Sequence, residues 1–79
     1  MLLSAEPAVF RFHMNLRING QVVSVKEGSS VASLLEARKL KPATVVVEYN
    51  QAILPRDLWS DTVLKSDDSL EIVTFVGGG

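Results

Sequence analysis

The sequence predicts an α+β fold in which one main helix packs on one face of a mixed β-sheet. Alternating apolar and polar residues mark strands towards both ends of the chain, a single stretch between them has the helical period, and turn residues sit at the joints. With 79 residues, 47% of them hydrophobic and 22% charged, there is material for one core and too much apolar content for disorder.

Residues 1–13 follow neither period and are read as an extension, expected to be flexible, in which only Val9-Phe10-Arg11-Phe12 alternates enough for a short added strand. The domain is expected over residues 14–76. Its first strand alternates Leu16 and Ile18 with Asn15, Arg17 and Asn19, and Asn19-Gly20 suits a type I′ turn because both residues tolerate positive φ. A return strand follows over residues 21–25, broken by Lys26-Glu27-Gly28-Ser29. Ser29 or Ser30 then caps a helix whose Val31, Leu34 and Leu35 share one face, and which is expected to end near Lys39, stopped by Lys41-Pro42.

Residues 44–49 are rich in β-branched side chains and read as a third strand, turned by Asn50-Gln51 into the short apolar run Ala52-Ile53-Leu54. Pro55 opens one helical turn reaching Trp59, before a polar break at Ser60-Asp61, the apolar pair Val63-Leu64 and a turn at Ser66-Asp67-Asp68. Residues 69–76 lack proline and glycine and form the last strand, apolar enough for the middle of a sheet. This order satisfies a β-grasp arrangement. If Leu16 and Ile18 face the helix, alternation sends Leu70 and Ile72 inward and leaves Val73 and Phe75 on the open face, either as ordinary scattered surface hydrophobes or as a docking patch.

Composition narrows the chemistry. Eight Lys and Arg against nine Asp and Glu, with no basic block, argue against nucleic acid as a partner. No cysteine removes disulfides, thiolate metal sites and cysteine nucleophiles together, and one histidine leaves no obvious metal cage or Ser-His-Asp arrangement, so no metal site is expected. Apolar runs of four or five residues are far too short to span a bilayer, and a cytoplasmic protein is the expectation. His13 is assigned no role. Asp61, Asp67, Asp68 and Glu71 make the late chain acidic, either as solvated turn residues or as guides for a basic partner. Trp59 is read as packing, and Arg56 as a turn residue or as a contact for an acidic partner surface or an adenylate.

Residues 77–79 are the feature that a simple packed domain does not require. Gly77-Gly78-Gly79 packs nothing and has a large conformational entropy, but without side chains it threads a narrow channel and delivers the Gly79 carboxylate to a distant site. A carboxylate is a poor electrophile, so this chemistry implies activation, most directly by adenylation with ATP followed by attack of a sulfur or nitrogen nucleophile.

The residues from Met14 to Gly79 resemble the ThiS family of small ubiquitin-like sulfur carriers of thiamine (thiazole) biosynthesis. The resemblance rests on the Asn19-Gly20 hairpin, Val31-Ala32-Ser33-Leu34-Leu35, Val47-Glu48-Tyr49-Asn50, Ile53-Leu54-Pro55-Arg56 with Trp59, and Phe75-Val76-Gly77-Gly78-Gly79. It implies a non-enzymatic carrier whose Gly79 carboxylate is adenylated by a ThiF-like adenylyltransferase and converted to a thiocarboxylate. A sulfur-donating enzyme would supply the sulfur, and a ThiG-like thiazole synthase would receive it. Gly77 and Gly78 would thread the partner's channel, and Val73, Phe75, Val76 and Arg56 would make the partner contacts. ATP and the sulfur donor are consumed by the partner and not held by the carrier. The extension at residues 1–13 lies outside the family pattern. The same tail also suits a molybdopterin synthase small subunit or a ubiquitin-like protein modifier, and a non-covalent interaction module is the remaining alternative.

Overall fold

The structure is a computed structural model and describes residues 12–75. Of the short strand expected at Val9-Phe10-Arg11-Phe12, the first three residues lie outside the described residues, as do Val76, Gly77, Gly78 and Gly79. Phe12 is in a turn, where its carbonyl accepts the Glu27 N–H at 2.6 Å.

Five strands form one sheet: β1 (His13–Ile18), β2 (Gln21–Lys26), β3 (Val45–Tyr49), β4 (Ala52–Ile53) and β5 (Ser69–Thr74). The helix α1 (Val31–Ala37) follows β2, and short 3₁₀ segments occupy Pro42–Thr44 and Arg56–Asp61. The sheet order is β2-β1-β5-β3-β4, with β5 central, parallel to β1 and antiparallel to β3. This is the mixed sheet with one main helix of a β-grasp fold. His13 pairs with Lys26 and so opens β1, although the sequence places it in the extension.

Both hairpin turns are set by their sequence. Asn19 and Gly20 have φ of 52° and 82°, the left-handed pair that a type I′ turn needs, and Ile18 closes it opposite Gln21. Asn50 and Gln51 repeat the geometry at 50° and 74°, with Tyr49 opposite Ala52. Ser30 caps α1 in a reciprocal box: its hydroxyl accepts the Ser33 N–H at 3.0 Å, and its own N–H donates to the Ser33 hydroxyl at 2.9 Å.

The helix ends earlier than expected, at Ala37 and not near Lys39. Leu40 N–H donates to the Leu35 carbonyl at 3.0 Å and Lys39 N–H to that of Glu36 at 2.9 Å, while Lys39 takes φ 61°. This bond pair is a Schellman motif, which stops the helix before Pro42 is reached; Pro42 instead opens the first 3₁₀ turn and draws Thr44 out of β3. The second 3₁₀ segment runs through Ser60-Asp61, so the polar break expected there falls one residue later, at Thr62. Of the apolar run Ala52-Ile53-Leu54, only the first two residues pair as a strand.

The core lies between the helix and the inner face of the sheet. Val31, Leu34 and Leu35 of α1 meet Met14, Leu16, Ile18, Val25, Val45, Val47, Leu70 and Ile72 of the sheet, and Trp59 and Leu64 close the open end. Each such side chain contributes roughly 1.5–3 kcal/mol by leaving water. Leu70 is fully buried and anchors the central strand. Trp59 is held by its indole N–H, which donates to the Leu54 carbonyl at 3.0 Å.

Candidate functional site

The site is built around the last strand, because β5 carries the chain towards its terminal glycines. Alternation on β5 places Leu70 and Ile72 in the core, while Val73 and Phe75 are 57% and 47% exposed, as the sequence predicts. Beyond Thr74 the strand ends, and Phe75 N–H is tied to the Thr44 carbonyl at 2.9 Å. Val76, Gly77, Gly78 and Gly79 follow in sequence, outside the described residues.

The register between β3 and β5 extends the apolar patch beyond the residues that the sequence singled out. Val46 is directly opposite Val73 and exposed on the same open face, so Val46, Val73 and Phe75 are neighbours. Glu48 is directly opposite Glu71 on that face, and Ile53 of β4 is opposite Glu48. Both carboxylates are exposed and neither has a counterion among the described residues, an arrangement that like charges in a cross-strand pair disfavour. Val46 was legible from alternation once Val45 and Val47 were placed inward; the Glu48–Glu71 opposition needed the register.

Arg56 opens the 3₁₀ segment beyond β4, exposed and without a side-chain partner among the described residues. It is not beside Val73 and Phe75 in the sheet. The strand leading to it, β4, pairs with β3 at Glu48 and Tyr49, whereas Val73 and Thr74 pair with the other end of β3, at Val46 and Val45. The structure therefore brings Val73 and Phe75 together and leaves Arg56 apart from them.

Asp68 departs from its reading as a solvated turn acid. It is 5% exposed and stands where β5 begins, accepting the Tyr49 hydroxyl at 2.5 Å and the Lys65 backbone N–H at 2.7 Å through Oδ2, and the Asn50 amide at 3.2 Å through Oδ1. Burial pushes its carboxyl up, but the bonds from Tyr49, Lys65 and Asn50, with the Lys65 charge, together hold it below the ordinary value. Burial and the bond to Asp68 push the Tyr49 hydroxyl up. Lys65 donates to the Tyr49 hydroxyl at 3.3 Å, and that bond raises its own pKa. This network fastens the start of β5, at the opposite end from the terminal glycines, and no reacting group lies in it.

Among the described residues, no group of three or more His, Cys, Asp or Glu could hold a metal ion, and no helix is long and apolar enough to cross a membrane. What the described residues present is an exposed apolar face along the last strand.

The model of the ThiS family matches residues 15–79, which takes in the whole sheet except its first two residues and runs through the terminal glycines. The chain belongs to the ThiS family. Among similar proteins, the Bacillus subtilis sulfur carrier protein ThiS is 35% identical over 65 residues, covering 81% of this chain and 98% of that protein. The crystal structure of the thiamine biosynthesis protein ThiS from Geobacter metallireducens superposes with a TM-score of 0.72 at 38% identity, covering 84% of this chain and all of that one. A thiazole synthase from Magnetococcus marinus is 35% identical over 66 residues, but this chain spans only 20% of its length. ThiS family membership thus accounts for residues 15–79 and leaves the whole of the extension unmatched.

Proposed function

We infer that this chain is a sulfur carrier for thiazole formation in thiamine biosynthesis, acting as a co-substrate and not as a catalyst. The observation that carries the reading is the reach of the family match, which extends through Gly77 and Gly78 to Gly79 and so includes the group to be loaded. The Gly79 carboxylate attacks the α-phosphate of ATP on a ThiF-like adenylyltransferase, releasing pyrophosphate and leaving an acyl adenylate. The terminal sulfur of a persulfide on a sulfur-donating enzyme then attacks the acyl carbon and AMP departs. A second thiol cleaves the resulting sulfur–sulfur bond, forming a disulfide with the donor sulfur and releasing the thiocarboxylate. The absence of cysteine from the carrier agrees with this division of labour, since every thiol in the sequence of steps belongs to a partner.

Docking is assigned to the open face at Val73 and Phe75, extended by Val46, with Val76 as a further partner contact and Gly77 and Gly78 occupying the partner's channel. Arg56 makes a separate contact at the other end of β3. The likeness to one fifth of a thiazole synthase supports a ThiG-like enzyme as the sulfur acceptor. ATP and sulfur donor are used by the partners, and no cofactor resides in the carrier. The cytoplasm, where such partners and ATP meet, is the assigned compartment.

The test is intact-mass spectrometry after incubation with a ThiF-like enzyme, ATP and a persulfide donor. The expected product has gained the mass of one oxygen-to-sulfur exchange, localised by fragmentation to Gly79. An unchanged mass under conditions that load the Bacillus subtilis carrier overturns the reading.

A further inference from the structure

The hairpin residue Asn19 does more than turn the chain. From β1, Arg17 N–H donates to the Asp68 carbonyl and Asn19 N–H to the Leu70 carbonyl, each at 2.9 Å, so the parallel ladder with β5 advances by two residues per rung. The next rung would need the carbonyl of residue 19 to accept from Ile72 and the N–H of residue 21 to donate to Ile72. The chain has already turned away at Asn19-Gly20. In their place the Asn19 side chain supplies both groups: Oδ1 accepts the Ile72 N–H at 2.7 Å, and Nδ2 donates to the Ile72 carbonyl at 3.2 Å. A side-chain amide stands in for the missing peptide group.

Its position gives this rung a consequence for the site. Past Ile72, β5 has a strand on one side only, where Thr74 pairs with Val45 and Phe75 N–H reaches Thr44. On the other side, Thr74 borders a groove that it shares with Ile18, Asn19, Arg38, Leu40 and Ile72. Among the described residues, Asn19 is therefore the last point at which β5 is held from both sides. From Ile72 to Phe75 the course of β5 is set by Asn19 on one side and by β3 on the other, and loss of the Asn19 bonds leaves β3 alone to set it. Misplacement of about 1 Å is enough to lower a reaction rate up to a hundredfold.

We propose that Asn19 is a positioning residue for acyl loading: through Ile72 it fixes the direction in which the terminal glycines leave the sheet. The proposal rests on the reading of Gly79 as the loaded group. Asn19 touches neither ATP nor the reacting carboxylate, and it acts on the chain end only by holding β5.

The experiment compares the full chain with Asn19→Gly and Asn19→Asp. Glycine accepts the positive φ of the turn while removing both bonds, and aspartate keeps the acceptor for the Ile72 N–H while removing the donor. In steady-state adenylation by the ThiF-like enzyme, kcat is expected to fall about tenfold or more for Asn19→Gly, with KM within about twofold, and Asn19→Asp is expected to recover part of the loss. Amide exchange measured by NMR on the same proteins is expected to rise at Ile72 in Asn19→Gly and to stay unchanged at Val47, in the core of the neighbouring strand. Wild-type kcat in a folded Asn19→Gly, a loss confined to KM, or unaltered exchange at Ile72 each overturns the proposal. Failure of the wild-type chain to be loaded would count against the carrier reading, while the exchange data would still decide whether Asn19 holds the strand.

Discussion

Asp68 shows how far a single side chain's role depends on distant parts of the chain. In sequence it is one of two adjacent acids in a turn, and adjacent turn acids are ordinarily solvated. Its burial follows from Tyr49 and Asn50 arriving from another hairpin, and no local pattern around residue 68 announces them. The side-chain role of Asn19 was hidden in the same way, because the dipeptide Asn19-Gly20 declares a turn and says nothing of Ile72, 53 residues away. The folded-state pKa of Asp68 is depressed, so its contribution to stability is fully present above the unfolded carboxylate value of 3.8 and disappears as pH falls through the folded value. Asp68→Asn is accordingly expected to lower unfolding free energy by about 1–3 kcal/mol near neutral pH, the usual range for losing bonds to a buried charged group. Urea denaturation should show the gap between the two proteins narrowing once pH drops below 3.8, and a gap independent of pH would refute the assignment.

At the scale of elements, most boundaries were legible because their causes are local. The two hairpins, the capping serine and the inward face of α1 each depend on residues within a few positions of one another. The end of α1 was not. Proline stops a helix visibly, whereas the stop here is a lysine in the left-handed region, a conformation that glycine adopts most readily at this position and that nothing in the letters Arg38-Lys39-Leu40 reveals. The motif is completed when Leu40 folds back to pack against the core, so tertiary burial holds Lys39 in a conformation that its Cβ disfavours. Lys39→Gly relieves that strain. It is expected to stabilise the protein by about 0.5–1 kcal/mol, a Tm rise of roughly 2–8 °C for a domain of this size. A calorimetric Tm equal to or below that of the unsubstituted chain would show that Lys39 is not strained.

Across the whole molecule, the two type I′ hairpins converge on one strand. Asn19 grips β5 at Ile72, while Asn50 grips its start, accepting the Ser69 N–H at 2.9 Å and donating to Asp68. The central strand is thus clamped at two points by side-chain amides as well as by its neighbours, and its outward residues are left to meet a partner. Alternation alone made Val73 and Phe75 legible as outward; their continuity with Val46 depended on the β3–β5 register, which no single segment encodes. On the proposed function, holding the strand and recognising the partner are separate tasks, the first borne by the backbone edge of β5 at Ile72 and the second by its open face. Replacing Val73 and Phe75 together by threonine keeps strand propensity and removes partly exposed apolar surface, so stability should fall by only about 1 kcal/mol. Docking should suffer instead, with the KM for loading rising about tenfold, equivalent to about 1.4 kcal/mol, while kcat is retained. Asn19→Gly predicts the opposite division, with kcat lost and KM kept. If the threonine pair leaves KM unchanged in a folded protein, the open face of β5 is not where the adenylating enzyme binds, and the contact must lie elsewhere on the carrier.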